Sequence, residues 1–575
     1  MGSRIKRVRI EGFRSIENLE FFPTPLCALV GENSAGKTNV LHALKTVLGR
    51  DWHRVTDFTE DDVIDRARDR DVLIEIEFDP PPSHEAFRNT TPVPVPVLRF
   101  TLTRYKVNTA TAQKGDLRLD GKPLKVDGSQ VFVLKARPQR GQQPQFEPLN
   151  RIPGSLKRQV PVIFVGADRR LRSQMPSTRY SLLRRLLEDV DEVVKNTTVE
   201  GTEQTVAELF LERLEEALQV LRVPEFLELE DFVRRHTLEN LGMDPVADRD
   251  RFNLSFGLHD SAEFFKAIRL LVQEGDFQLD SSLLGDGAQN AIVLAIFQAY
   301  ERLRKKGAIF LIEEPEMYLH PHRARFFYDT LRRISKDNQV IYTTHSPYFV
   351  AIPEFEEVRV VRRNESGRTE IVESGLASSD PLREKLRKEF DPERNELFFA
   401  QRVILVEGDT EKLALPEYAK RLGLDLNRLG VSIVEVGGKK SLQSFADVIR
   451  SFRIPLTLVF DRDSSDFSKK QKEQEEEYNE SLRSLKTSGT SVFELDPDYE
   501  AELRTACGEE LYLAKCEEYS GSSKAVRARR IAADPETPIP EKVEFILRSA
   551  VPESELDTAS AESSEIVPDE ASGET

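Results

Sequence analysis

Residues 31–38 read GENSAGKT, and they sit between an apolar run, Leu26–Val30, and a helical pattern over residues 40–48. Buried strand, glycine loop and helix in that order leave few folds open, because the spacing G-x-x-x-x-G-K-[ST] fits a phosphate cradle. Glycines let the backbone N–H groups of Gly31, Glu32, Asn33, Ser34, Ala35 and Gly36 wrap an anion at a helix start. Lys37 then meets the outer phosphates, and the Thr38 hydroxyl ligates Mg²⁺. Residues 308–321, AIFLIEEPEMYLHP, supply the complement: a buried strand ending in two acids. Glu313 stands where the metal is held, and Glu314 where a water is polarised for attack on a γ-phosphate. Together the two stretches imply ATP hydrolysis with one Mg²⁺.

At 575 residues the chain is too long for one core, and about two to four domains are expected. An apolar fraction of 39% with 31% charged residues is ordinary for a globular protein. No apolar run approaches a membrane span, the basic N-terminus lacks a signal-peptide core, and Lys6 breaks a myristoylation pattern. Three cysteines without metal spacing and eight scattered histidines fit a reducing cytoplasm and argue against zinc. The net charge of −17 says little about DNA, since a groove needs only a local basic surface. Part of that charge lies in residues 553–575, a Ser/Ala/Glu-rich tail without Lys or Arg, read as disordered.

Residues 5–22 read as a strand, a turn at Gly12 and a second strand. Residues 72–78 alternate apolar and acidic like a half-exposed strand. Prolines at 80–82 and 92–96 mark loops or sheet edges. Residues 98–133 read as short antiparallel strands, and 160–165 as another buried strand. Residues 180–194 and 205–221 then carry apolar side chains at helical spacing, with a further helix at 232–241. This block interrupts the ATPase; its two-sided apolar stripes suit a subunit interface, although helices covering the ATPase sheet would show the same pattern. Residues 380–401 form a charged helical connector, and 469–477 a solvated helix.

LGDGAQ, residues 284–289, precedes a long apolar helix. It resembles the signature loop of ABC-type ATPases, which binds the γ-phosphate of a partner domain, and places Gly285, Gly287 and Gln289 there. Gly285 stands where serine is usual. His345, at the end of the strand beginning at Gln339, occupies the place of the ABC switch histidine. The opening IKRVRIEGFRSIENLEF and Asn39 resemble the RecF and SMC branch.

RVILVEGDTEKL, from Arg402, is a buried strand ending in Glu407 with Glu411 one helical turn on; PLTLVFDRD, from Pro455, is a second, ending in Asp461 and Asp463. Carboxylates delivered from two parallel strand ends into one crevice repel unless cations neutralise them. Hard oxygen donors indicate Mg²⁺ or Mn²⁺, two of which could activate water and stabilise a leaving oxygen. The pattern resembles the Toprim domain. Gly437 and Gly438 before Lys439 and Lys440 read as a turn bringing a basic group near a phosphate backbone.

An ABC-type, RecF-like ATPase with a helical insertion and a C-terminal Toprim unit resembles the OLD (overcoming lysogenization defect) family of nucleases. The resemblance implies a metal-dependent DNA endonuclease or exonuclease coupled to an ATPase and used in bacterial or phage-related defence. It also implies further acids, matched by Asp498 and Glu500, and a lysine, matched best by Lys524 with Lys542 as competitor. The expected architecture is multidomain α/β: ATPase over 1–175 and 242–378, a dimerising helical insertion over 176–241, Toprim over 379–551 and the acidic tail over 552–575. The expected partners are DNA and a second copy of the chain, without a membrane. The alternative is a RecF-like DNA-binding ATPase whose Toprim unit no longer cuts.

Overall fold

The computed structural model describes residues 2–48, 55, 58–67, 69–109, 112–137, 142–167, 181–251, 260–274, 277–303, 307–317, 319–376, 379–388, 392–462 and 469–552. The chain divides into two compact units, residues 1–162 with 307–575, and residues 163–306.

In the first unit the strands Leu26–Val30, Ile309–Glu313 and Gln339–Thr343 are buried along their whole length. Such continuous apolar runs are what a parallel sheet covered on both faces requires. Ile309–Glu313, Gln339–Thr343, Leu26–Val30 and Val358–Arg363 lie side by side in parallel, and Thr369–Glu373 closes that edge antiparallel. The phosphate-loop strand is therefore separated from the acidic strand by the strand leading to His345. A second, antiparallel sheet runs in the order Ile16–Phe21, Arg4–Phe13, Val72–Asp79, Val97–Arg104, Leu117–Leu124. Gln339 joins the two sheets: its side-chain Oε1 accepts from Ile5 N at 2.7 Å and its Nε2 donates to Ile5 O at 2.9 Å.

The first strand runs through Gly12 to Phe13, and the turn is made by Arg14 and Ser15 instead. Gly12 has φ +68°, and a Cβ there would meet Asp71 O at 2.4 Å. Glycine is needed at that point for the close approach of a neighbouring loop, a reason that a turn reading misses.

The C-terminal part of this unit is a four-stranded parallel sheet, ordered Val431–Glu435, Arg402–Val406, Leu456–Asp461, Thr490–Leu495. Helices Asp409–Arg421, Tyr499–Cys507, Lys524–Ala533 and Glu541–Ser549 share a core with it, through Ile404, Val406, Leu415, Tyr418, Leu503, Ile531 and Ile546. The chain-order sequence 2-1-3-4 reverses between Arg402–Val406 and Leu456–Asp461, which makes the carboxyl ends of those two strands the switch-point crevice.

The second unit holds helices Leu182–Asn196, Val206–Gln219, Pro224–Asn240 and Asp286–Leu303 and the hairpin Leu271–Glu274, Phe277–Asp280. Tyr180 falls outside the described residues. Thr205 and Glu208 form a capping box that starts the second helix. The third begins eight residues before its expected start. Pro224 sits at its first turn after an extended Val223, whereas the nearly alternating EFLELE imitates a strand. Among the described residues no helix is long and apolar enough to cross a membrane.

Candidate active sites

The phosphate loop is shaped by what lies behind it. Gly36 has φ +106°, and a Cβ there would meet Thr369 Oγ1 at 2.1 Å; at Gly31, φ +141°, it would meet Val361 O at 2.0 Å. Thr369 Oγ1 donates to Ala35 O at 2.8 Å, and Arg363 Nε to Ser34 O at 2.9 Å. Lys37 is buried and donates to the carbonyls of Gly31 and Glu32 at 2.8 and 2.7 Å. Burial pulls its ammonium down to about 8, against the opposing charges of Glu314, Glu316 and Glu32.

Across the sheet, Glu314 adopts φ +43°, a costly backbone for a residue with a side chain. Its N–H donates to Thr343 O at 3.0 Å, which pins the acidic strand end to the strand leading to His345. His345 is held by its own N–H, which donates to Glu316 Oε1 at 2.5 Å, and Thr344 Oγ1 donates to the same oxygen at 2.9 Å. Burial and the charge of Lys37 lower the His345 imidazole, keeping it neutral near pH 7.

Sequence reasoning passed over Glu316 and His42. His42 Nδ1 lies 3.1 Å from Arg14 Nη1, and its Nε2 lies 3.1 Å from Glu313 Oε1. A guanidinium can only donate, so in the neutral ring Nδ1 accepts and Nε2, the nitrogen near Glu313, carries the proton. A signal was present: His42 stands four residues after Thr38 on one helix face. In the second unit, Gln289 Nε2 donates to Leu284 O at 2.7 Å, closing the loop that carries Gly285 at the start of the helix containing Gly287.

At the switch point, Glu407 Oε1 accepts the N–H of Asp461 at 2.7 Å. Two acidic strand ends are thus joined directly. Gly438 N donates to Glu407 O at 2.8 Å. Lys439, buried, donates to Asp461 O at 2.5 Å and pairs with Glu475 at 2.8 Å. The glycine turn therefore aims Lys439 at the acidic strand end. Glu411 is buried one helical turn on, and burial, then the charge of Glu500, pushes its carboxyl up. Lys524 Nζ lies 2.9 Å from Glu500 Oε1. Burial would lower the Lys524 ammonium, but Glu500, with the charges of Asp461 and Asp498, outweighs it and the net shift is upward. Asp498 Oδ1 caps the following helix by accepting Ala501 N at 2.8 Å. Lys542 instead pairs with Glu502 at 2.6 Å. Asp463 lies outside the described residues. Among those described, no three Asp, Glu, His or Cys side chains form a group that could hold a metal ion.

Residues 398–463 match the family described as overcoming lysogenization defect protein-like, TOPRIM domain. Residues 170–350 match an AAA ATPase domain, and 7–116 an AAA domain. The chain is 31% identical over 467 residues to the OLD nuclease of Thermus scotoductus, covering 80% of this chain and 82% of that protein. It is 25% identical to the Old nuclease of Escherichia phage P2, covering 80% and 78% respectively. A shorter likeness, 26% identity over 27% of this chain and 26% of the relative, joins it to endonuclease GajA of Bacillus cereus. Two joined acidic strand ends in a parallel sheet, a braced phosphate loop and likeness over four-fifths of a relative agree: the chain belongs to the OLD nuclease family.

Proposed function

We propose that this chain, a nuclease with an ATPase, hydrolyses DNA phosphodiester bonds at the acidic strand ends with divalent cations, under control of its ATP site. The observation that carries the reading is the Glu407–Asp461 junction. The chemistry of the donors, though not their spacing among the described residues, suits Mg²⁺ or Mn²⁺: every candidate ligand is a hard carboxylate oxygen. The raised carboxyl of buried Glu411 beside Glu500 is an acid that an added cation would relieve. Glu407, Glu411, Asp461, Asp463, Asp498 and Glu500 would hold two cations, which supply an activated water and charge neutralisation when bound. Lys524 keeps its proton through Glu500 and stands ready to stabilise charge on the phosphate or to protonate the leaving oxygen. Lys439 holds the Asp461 carbonyl and with it the strand end. On the ATP side, Thr38 and Glu313 would hold Mg²⁺, His42 would orient Glu313, and Glu314 would polarise the attacking water. A role in bacterial or phage-related defence, which the family resemblance implies, is part of this reading.

Incubating the full chain with supercoiled plasmid and Mg²⁺ or Mn²⁺ tests it. Linear or degraded product is expected; retarded but intact plasmid would favour the RecF-like binding alternative. We also infer a homodimer through the inserted helices, supported by exposed Leu227, Leu229 and Phe232 on Pro224–Asn240. Leu229→Glu with Phe232→Glu is expected to halve the mass in light scattering. An unchanged mass would move the interface elsewhere.

A further inference from the structure

We propose that Arg394 and Asn395 are positioning residues through which the nucleotide state of the ATP site reaches the acidic strand ends; this rests on the reading of both centres given above. The two are sequence neighbours in the connector turn Pro392–Phe398, and their side chains reach in different directions. Asn395 is fully buried. Its Nδ2 donates to Pro347 O and to Val350 O, both at 2.8 Å, and its Oδ1 accepts Ile352 N at 3.2 Å. Three of its bonds therefore go to the backbone just beyond His345, and a buried amide that lost them would be left with unsatisfied polar atoms. Arg394 reaches the other way. Its Nη2 and Nε donate to Glu435 Oε1 at 2.8 and 3.2 Å.

Glu435 ends a strand of the C-terminal sheet, and its second oxygen accepts Gly437 N at 2.8 Å. Gly438 N in turn donates to Glu407 O, and Glu407 Oε1 accepts Asp461 N. Hydrogen bonds and two or three residues of backbone thus connect the loop after the switch histidine to both acidic strand ends. The four side chains on the path, Asn395, Arg394, Glu435 and Glu407, are each fixed by hydrogen bonds, so a displacement of the loop is passed along it. A solvent-open cleft of about 570 Å³, bordered by Pro347, Tyr348, Val350 and Asn395, leaves one side of the loop without packing. A close-packed interior would otherwise hold it still. Loss of the γ-phosphate contact at His345 would move Pro347 and Val350, draw on Asn395, and re-aim Glu435 and the Gly437–Gly438 turn through Arg394.

The test uses the full chain carrying Glu314→Gln, so that bound ATP persists. Hydrogen–deuterium exchange over residues 431–440 is measured with and without ATP. A change of about 5-fold or more, the lower end of ordinary coupling, is expected in the parent. Asn395→Ala or Arg394→Lys should reduce this ATP-dependent ratio to below about 2-fold, each variant being read against its own nucleotide-free exchange at saturating ATP. Combining the two should add nothing, because they serve one path. Arg394→Lys keeps the charge and loses only the fork, so it remains informative if Asn395→Ala fails to fold. An undiminished ATP response in folded Arg394→Lys, or no response in the parent, overturns the proposal. Exchange needs no cutting, so a chain that responds to ATP but never cuts plasmid would remove the nuclease reading and leave the link standing.

Discussion

Lys37 and Lys524 both face carboxylates, yet their ammonium groups shift in opposite directions. Lys37 is 5% exposed, and burial prevails over three nearby glutamates, taking it down to about 8. Lys524 keeps 63% of its side chain exposed, and Glu500 prevails over burial. The ATP site holds a desolvated cation whose compensation arrives with a polyanionic ligand. The acidic centre carries part of its compensation within the chain, through Lys524 on Glu500 and Lys439 on Glu475 and the Asp461 carbonyl. The first centre depends on its ligand's charge, while the second is partly balanced before any cation binds.

The largest effect separates the centres. Asp461→Ala removes a carboxylate at the strand junction, so cutting should fall about 1000-fold, the upper end for losing one charge-stabilising group. ATP hydrolysis should persist, because Lys37, Glu313 and Glu314 are untouched. Parental cutting in a plasmid assay with both Mg²⁺ and Mn²⁺ would remove the acidic centre from the chemistry. Glu314→Gln makes the converse cut. It keeps the β-carbon and the left-handed backbone and changes only the charge. ATP should still bind while turnover drops roughly 300-fold, with nucleotide-free cutting preserved. Turnover at the parental rate in a phosphate-release assay would reassign the water-polarising group.

The two lysines beside the acids sharpen the comparison. Lys524→Ala should slow cutting roughly 100-fold, whereas Lys542→Ala should leave it near parental, since Lys542 pairs with Glu502 outside the cluster. Equal losses in the two variants, measured as single-turnover rates, would mean that general basicity near DNA matters more than the Glu500 pairing.

Much of this was legible because it is local. A strand, a glycine loop and a helix are contiguous at Leu26–Leu48, and acids after apolar runs announce strand ends wherever they occur. The parallel pair ending in Glu407 and Asp461 was legible too, but the contacts around the phosphate loop were not. Nothing near His42 says that Arg14 and Glu313 will flank it, because that needs the hairpin, the helix and a strand from residue 309 onward to assemble first. Asn395 and Arg394 read as ordinary connector residues until the loop beyond His345 and the end of Val431–Glu435 are placed on either side. Gly12 misleads for the same reason: its demand comes from Asp71, far along the chain. Lys524 and Lys542 lie in similar helical contexts, and only the tertiary partners Glu500 and Glu502 tell them apart.

The smallest effect tests the burial half of the comparison away from both centres. Glu357, in the turn Ile352–Glu357, is raised to about 7 by burial, with Arg332 opposing and Glu354 reinforcing. Its ordinary value is 4.5, so between about 4.5 and 7 the folded chain binds more protons than the unfolded one. The stability it contributes is therefore present in acid, lost as pH rises through that window, and absent above about 7. Glu357→Gln is neutral at every pH and avoids the loss. With a quarter of the side chain accessible, the gain should be about 2 kcal/mol at pH 8 after allowing for screening, and close to zero at pH 4.5. Denaturant titration at the two pH values reads it directly. If Glu357→Gln brings no gain at pH 8, Arg332 compensates the buried carboxylate. Burial would then be the weaker force in this half of the molecule, and the depressed Lys37 would need another cause.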